Sequence, residues 1–60
     1  MNGLYKLENN ELLHAEIAVY YPNGQIIHVS DVKQNGMIDG WMYFETEEEA
    51  KQHFNIQENA

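Results

Sequence analysis

The sequence predicts a small α+β domain, in which an antiparallel β-sheet of three to four strands, ordered as a meander, is followed by one short C-terminal α-helix packed on one face. Three observations predict it. Apolar and mixed side chains alternate at period two along residues 11–21. Turn signals follow at Pro22-Asn23-Gly24 and at Asn35-Gly36. A capping-box sequence at residues 46–49 then begins a segment with helical spacing.

The strongest strand signal is the run ELLHAEIAVYY at residues 11–21. One side of this strand is apolar and is predicted to face the core, and it carries Leu13, Ala15, Ile17, Val19 and Tyr21. The other side is mixed and carries Leu12, His14, Glu16, Ala18 and Tyr20. Residues 25–30 form the next strand, since they are rich in β-branched side chains.

The turn between these two strands decides which side chains face the same way. A two-residue turn at 23–24 would place Val19 opposite His28 and put the two apolar stripes on opposite faces. A three-residue loop over 22–24, with its proline first and its glycine left-handed, instead pairs Val19 with Ile27. The fixed φ of proline suits that first position, so the sequence favours the three-residue loop.

A preceding strand is predicted over residues 4–8. The turn Asn9-Asn10-Glu11 joins it to the strand at 11–21. A loop of that length pairs Leu7 with Leu13, which adds one strand at the N-terminal side of the meander.

A further hairpin is predicted downstream. Asn-Gly is a strong signal for a two-residue hairpin turn, so Asn35-Gly36 joins a strand that extends to about Lys33 with a strand over residues 37–44. Gly40 marks a bulge in that last strand. The strand after Gly40 can therefore pair in two registers, which differ in whether Trp41 and Tyr43 face outward or into the core.

The C-terminal segment predicts one helix, from about Glu47 to Phe54. Thr46 is its N-cap and Glu49 stands at the third helical position, which completes a capping box. Glu47 and Lys51 form a favourable pair four residues apart. The domain is therefore predicted to span residues 1–55, with a frayed tail at 56–60.

Size, charge and residue content limit the function classes. The chain has 60 residues, no cysteine and a formal charge of −7, from ten acidic residues against three lysines. Direct binding of DNA or RNA is disfavoured because it needs a basic surface. No leader sequence and no membrane-spanning apolar run is seen, which predicts a cytoplasmic protein. An enzyme is not expected, since so small a fold rarely encloses a pocket.

The histidines and carboxylates do not predict a metal or catalytic site. His14 and His28 are about four residues apart along their strands, too far for one ion at ~3.4 Å per residue. His53 lies on the helix, across the sheet. The consecutive glutamates are explained by helix capping, and Ser30, the only serine, lacks the glycine-flanked turn of a hydrolase nucleophile. No cofactor is predicted.

The predicted helix is only ~12 Å long and covers one face of the sheet. The other face then carries a set of mostly aromatic and aliphatic side chains that forms the predicted partner-binding surface: Tyr20, Ile26, His28, Trp41 and Tyr43. A contiguous apolar patch of this kind is unusual on a soluble monomer, and Tyr and Trp are enriched at binding hot spots. The open register at Gly40 leaves a second arrangement, in which Trp41 and Tyr43 turn into the core.

Acidic residues are predicted to form a rim beside that surface: Glu16, Asp31, Asp39, Glu47 and Glu48. Their charge serves solubility, or it addresses a basic partner surface or imitates a phosphate backbone.

A short segment resembles a known repeat. Asn35-Gly36-Met37, Gly40-Trp41 and Tyr43-Phe44 are similar to a piece of the choline-binding repeats of bacterial surface proteins, which implies aromatic cages for a quaternary ammonium. The resemblance covers about ten residues and occurs once, whereas such arrays stack several repeats. No family is recognised for the whole chain.

Together these features predict a small acidic protein-interaction module, an inhibitor or adaptor of the kind found among phage and mobile-element products, some of which imitate nucleic acid. Its partner is expected to be another protein. Two alternatives stay open. One is a structural homodimer that buries the helix-free face, and the other is recognition of a small ligand by Trp41, Tyr43 and His28.

Overall fold

A computed structural model describes residues 1–56 and confirms the α+β class. Within this range five strands and two helices follow one another in the order β-β-β-β-α-β-α. Their bounds are β1 Gly3–Glu8, β2 Glu11–Ala15, β3 Ala18–Tyr20, β4 Ile26–His28, α1 Val29–Asn35, β5 Met42–Phe44 and α2 Glu47–His53. Residues 57–60 of the predicted tail lie outside the described residues.

The strands form two antiparallel sheets rather than one. The larger sheet has the order β2-β1-β5, and the smaller one pairs β3 with β4; we call the smaller one the ribbon. On one side of the larger sheet Leu4 meets α1 and the ribbon, within a buried cluster completed by Ile27, Val32 and Trp41. On the other side the Phe44 ring contacts His53 of α2 at a tilt and Phe54, the C-terminal cap of α2, edge-on. The molecule is therefore layered, with the larger sheet in the middle.

The predicted strand at 11–21 is wrong in one respect, because it divides into β2 and β3. The last ladder pair of β2 joins Ala15 to Leu4, near the start of β1 at Gly3. Beyond that point little of β1 remains to pair with. The chain bends at residues 16–17 and crosses to the next layer to begin the ribbon. Nothing in the period-two pattern marks this bend.

The predicted strand extending to about Lys33 is also wrong, since Val29–Asn35 is helical. The alternation of apolar and polar side chains stops there, because Asp31 and Lys33 occupy the positions of a strand that would face the core. The apolar residues Val29 and Val32 are instead three positions apart, as in a helix, and Val32 is fully buried. Gly36, with φ 88°, ends this helix and donates its N–H to the Val32 carbonyl at 2.7 Å. A glycine with positive φ is common at helix ends as well as in hairpin turns, so Asn35-Gly36 alone does not distinguish between the two.

The hairpin between β1 and β2 has a shorter turn than predicted. Asn9 and Asn10 both have positive φ, 52° and 65°, as a two-residue type I′ turn requires. Leu7 therefore pairs with Leu12 and not with Leu13.

Gly40 forms a turn and not a bulge. Asp39 and Gly40 have φ of 52° and 85°, and Ile38 and Trp41 exchange backbone hydrogen bonds of 3.1 and 2.8 Å across them. The strand that follows, β5, pairs with β1. It was predicted to pair with the strand at 25–33, most of which is α1 here.

The C-terminal helix is confirmed in detail. The Thr46 hydroxyl accepts the Glu49 N–H at 3.2 Å, and the Glu49 carboxylate accepts the Thr46 N–H at 3.3 Å. Lys51 Nζ lies 3.0 Å from the Glu47 carboxylate. Asn55, with φ 58°, donates to the Gln52 carbonyl and Ile56 to the Lys51 carbonyl. Because this pair of bonds is a Schellman motif, Ile56 belongs to the helix cap and not to a frayed tail.

Candidate interaction surface

The ribbon has one buried side and one exposed side. Its register pairs Val19 with Ile27 and Tyr20 with Ile26, which confirms the predicted pairing. Ile27 belongs to the core, whereas Tyr20 and Ile26 are 72% and 46% exposed. Since neighbouring residues on a strand point to opposite sides, Tyr20, Ile26 and the exposed His28 share the outer side. We call these three residues the ribbon face.

The loop of the ribbon is the predicted three-residue one. Tyr21 N–H donates to the Gln25 carbonyl at 2.9 Å, and Gly24 N–H donates back to the Tyr21 carbonyl at 3.0 Å. Gly24 has φ 91°, and the Asn23 side chain accepts the Gln25 N–H at 2.9 Å. These bonds hold the two strands in register, so the ribbon face is presented on a defined backbone.

Two of the five predicted partner-binding residues do not lie on this face. Trp41 is only 6% exposed and is part of the core. Tyr43 is half-buried, and the Lys33 ammonium of α1 lies 4.3 Å from its ring centroid. Both side chains share a side of the larger sheet with Leu4, but residues 16–40 fold back over that side. The predicted bare face is therefore divided between the core and the ribbon face.

The buried tryptophan is held by a chain of polar contacts. Its indole Nε1–H donates to the Tyr21 hydroxyl at 3.1 Å, and that hydroxyl donates to Asp39 Oδ2 at 2.6 Å. Lys6 Nζ lies 3.8 Å from the same Asp39 oxygen and 3.3 Å from Glu8 Oε1. The chain ties the turn at residues 39–40 to both the ribbon and β1.

These contacts shift the acidities of their members. The hydrogen bond to Asp39, assisted by burial, raises the pKa of Tyr21 above its ordinary value. Burial acts to lower the pKa of Lys6, but the hydrogen bond to Glu8 and the charges of Asp39 and Glu8 outweigh it and raise that pKa. The neutral phenol and the charged ammonium are therefore the favoured forms at neutral pH.

The structure separates the predicted acidic rim into two groups. Glu16 and Asp31 are exposed and lie two residues before Ala18 and three after His28. Because Ala18 pairs with His28, both acids flank the same end of the ribbon face.

The remaining three acids of the predicted rim are placed elsewhere. Asp39 is engaged by Tyr21 and Lys6. Glu47 and Glu48 lie on α2, on the other side of the larger sheet from the ribbon. The Lys51 ammonium lowers the pKa of Glu47 below its usual value.

A second aromatic cluster was not foreseen. Tyr5 stacks on His14 with ring centroids 4.4 Å apart and meets Phe44 edge-on at 6.1 Å. Phe44 in turn contacts His53 and Phe54. The turn predicted at Asn9-Asn10-Glu11 is one residue too long to give this cluster, since only the shorter turn pairs Tyr5 with His14.

The ribbon face is not part of a concave ligand site. Residues 1–56 enclose no pocket, and they gather no three His, Cys, Asp or Glu side chains in positions to hold a metal ion. Neither of the two described helices has the length and apolar character needed to cross a membrane. Trp41, Tyr43 and His28, considered together for a small ligand, do not share a surface. The aromatic cage implied by the choline-binding resemblance is likewise not formed around the buried Trp41.

No family model, curated protein or solved structure matches the chain.

Proposed function

We propose that the protein is a small acidic interaction module, acting as an inhibitor or adaptor, that binds another protein through the ribbon face. The observation that supports this most is the pairing of Tyr20 with Ile26 on the outer side of the ribbon, where both are exposed. An exposed aromatic side chain beside an exposed aliphatic one, on a backbone fixed by the loop at residues 22–24, can bind without much loss of conformational entropy.

The expected partner carries positive charge beside an apolar depression. Glu16 and Asp31 flank the His28 end of the ribbon face, and no salt bridge to either occurs within residues 1–56. The whole chain carries a formal charge of −7. Charges of one sign at the edge of an apolar contact increase the association rate with an oppositely charged surface and weaken binding as salt rises.

Capture from cell extract on immobilised protein tests the proposal. Immobilised Tyr20→Ala and Ile26→Ala should each fail to capture a protein that the immobilised wild type captures. The amount of that protein captured by the wild type should fall as the salt concentration is raised. Both variants should keep the wild-type melting temperature, because the side chains removed are exposed. Tyr43→Ala would be a poor test, since its half-buried ring contacts Lys33.

Met37→Ser is the matched control. Met37 is 58% exposed, lies in the loop after α1 and is not part of the ribbon face. The control should capture the same protein as the wild type. Equal capture by Tyr20→Ala, Ile26→Ala and the wild type would contradict the proposal.

A further inference from the structure

The outer edge of β2 is the longest unpaired strand edge among the described residues. β2 stands at the end of the order β2-β1-β5, and Glu11–Ala15 pairs with β1 alone. Exposed edges usually carry charged side chains, above all lysine, or a proline or a bulge that prevents pairing with another chain. The sequence ELLHA has no proline or lysine, its one carboxylate, Glu11, stands at the end of the strand, and its ladder with β1 is regular.

The turn at Asn9-Asn10 fixes which backbone groups of β2 face outward. In a two-residue hairpin the pair beside the turn, Glu8 and Glu11, is hydrogen-bonded, and bonded pairs then alternate along the ladder. Leu13 and Ala15 therefore bond to β1. Leu12 and His14 direct their N–H and C=O groups away from it, toward the free edge.

We infer that this edge pairs antiparallel with the same edge of a second copy of the chain, so that two three-stranded sheets join into one of six strands. A two-fold axis beside Leu13 sets Leu12 opposite His14 of the second copy, and His14 opposite its Leu12. Every outward N–H and C=O of these two residues then finds a partner. This gives four backbone hydrogen bonds across the axis.

In this register each side chain of β2 faces a compatible side chain of the second copy. Leu13, half-buried in the core layer, meets its own copy. Glu11 falls opposite Ala15, so no two carboxylates face each other across the new ladder. Such self-complementarity is what a two-fold interface requires, and it is why we assign the edge to a second copy and not to an unrelated strand.

Net charge sets the salt dependence of this pairing. Each copy carries a formal charge of −7, so repulsion opposes association at low salt and is screened as salt rises. Pairing through β2 therefore strengthens with salt. Binding of a basic partner to the ribbon face weakens with salt, so the two proposals stand or fall separately.

Sedimentation of chemically synthesised protein, across a wide range of concentration and salt, tests the inference. We expect a monomer–dimer equilibrium that shifts toward dimer with salt. N-methylation of the His14 or Leu12 amide removes two symmetry-related bonds per dimer and should raise the dissociation constant about tenfold or more. N-methylation of the Ile26 amide is the matched control, because by the same alternation it faces outward from the ribbon; it should leave the constant unchanged.

Hydrogen exchange of the unmodified protein provides a second readout that does not depend on the variants folding. The Leu12 and His14 amides should exchange rapidly in dilute solution and gain protection as the concentration rises, whereas the Ile26 amide should not change. A chain that stays monomeric at about 1 mM in high salt would overturn the inference. So would a dimer that persists unaltered when either β2 amide is methylated, or that gives Leu12 and His14 no added protection.

Discussion

The Tyr21 hydroxyl joins Trp41 to Asp39: it accepts the indole N–H of Trp41 at 3.1 Å and donates to Asp39 at 2.6 Å. Trp41 lies just before β5, and Tyr21 directly precedes the three-residue loop of the ribbon. The hydroxyl therefore links the ribbon to the residues that lead into β5. It supports the apolar packing of Trp41 with Leu4, Ile27 and Val32, which keeps this aromatic side chain in the core.

Tyr21→Phe should destabilise the fold. The substitution removes the acceptor of the Trp41 indole and leaves a buried N–H unpaired, a loss of about 1–3 kcal/mol in the free energy of unfolding. Urea denaturation followed by Trp41 fluorescence measures it. Tyr20→Phe is the matched control, since the exposed Tyr20 hydroxyl has no such role and the expected change is within about 0.5 kcal/mol. Equal stability of the two variants would contradict the assignment.

Stability should fall at high pH, and part of the fall should depend on Tyr21. Its pKa is raised in the folded protein, from an ordinary 10.0, by the hydrogen bond to Asp39 and by burial. The stability that protonated Tyr21 gives the fold is therefore fully present below about pH 10, the pKa of this group in the unfolded chain. It is lost as the pH rises through the higher pKa of the folded protein. Lys6, whose pKa is also raised, acts in the same direction. Chemical denaturation at a series of alkaline pH values should show a shallower fall for Tyr21→Phe than for the wild type; parallel profiles would argue against it.

Val32→Ala tests whether residues 29–35 form a helix. In the helix Val32 is fully buried, and removal of two methyl groups together with the cavity they leave should cost about 2–3 kcal/mol. In the predicted strand, Val32 would point away from the side shared by Ile27 and Val29, and its loss would cost little. Denaturation of this variant beside Gln34→Ala, an exposed site on the same helix, separates the two arrangements.

Loss of the capping box of α2 should lower the free energy of unfolding by about 1 kcal/mol. Thr46→Ala removes the acceptor of the Glu49 N–H, and Glu49→Ala removes the acceptor of the Glu45 and Thr46 N–H groups. Each should lower the melting temperature measurably in so small a domain. Glu48→Ala, in the same helical turn but outside the capping box, controls for the loss of one negative charge. A drop for Glu48→Ala as large as that for Glu49→Ala would show that the lost charge, and not the lost capping bonds, explains the effect of Glu49→Ala.

The local parts of the fold could be predicted because their signals are unambiguous. Proline at residue 22 followed by Asn-Gly permits one hairpin loop that keeps Val19 and Ile27 on one side, and this register is confirmed. Thr46 and Glu49 at capping-box spacing likewise specify the start of α2. In both cases neighbouring residues carry all the information.

Apart from the length of the turn at Asn9-Asn10, the parts of the fold that were predicted wrongly depend on partners distant in sequence. A left-handed glycine after asparagine suits a hairpin or a helix end, and only the burial of Val32 decides between them at Gly36. The bend at residues 16–17 depends on where β1 begins, at Gly3. The pairing of β5 with β1 joins residues that are 37 to 41 positions apart and leaves no local signal. For the candidate site, Tyr20, Ile26 and His28 could be placed on one face, whereas the burial of Trp41 could not be derived from the strand pattern.

Residues 16–40 fold over Trp41 and leave Tyr20 and Ile26 outside. Nuclear Overhauser contacts of the Trp41 ring test this arrangement. We expect contacts from the indole to the methyl groups of Ile27 and Val32 and to the Tyr21 ring, with none to the side chains of Tyr20 or Ile26. Contacts from the Trp41 ring to Tyr20, Ile26 or His28, as a single four-stranded sheet would give, would contradict it.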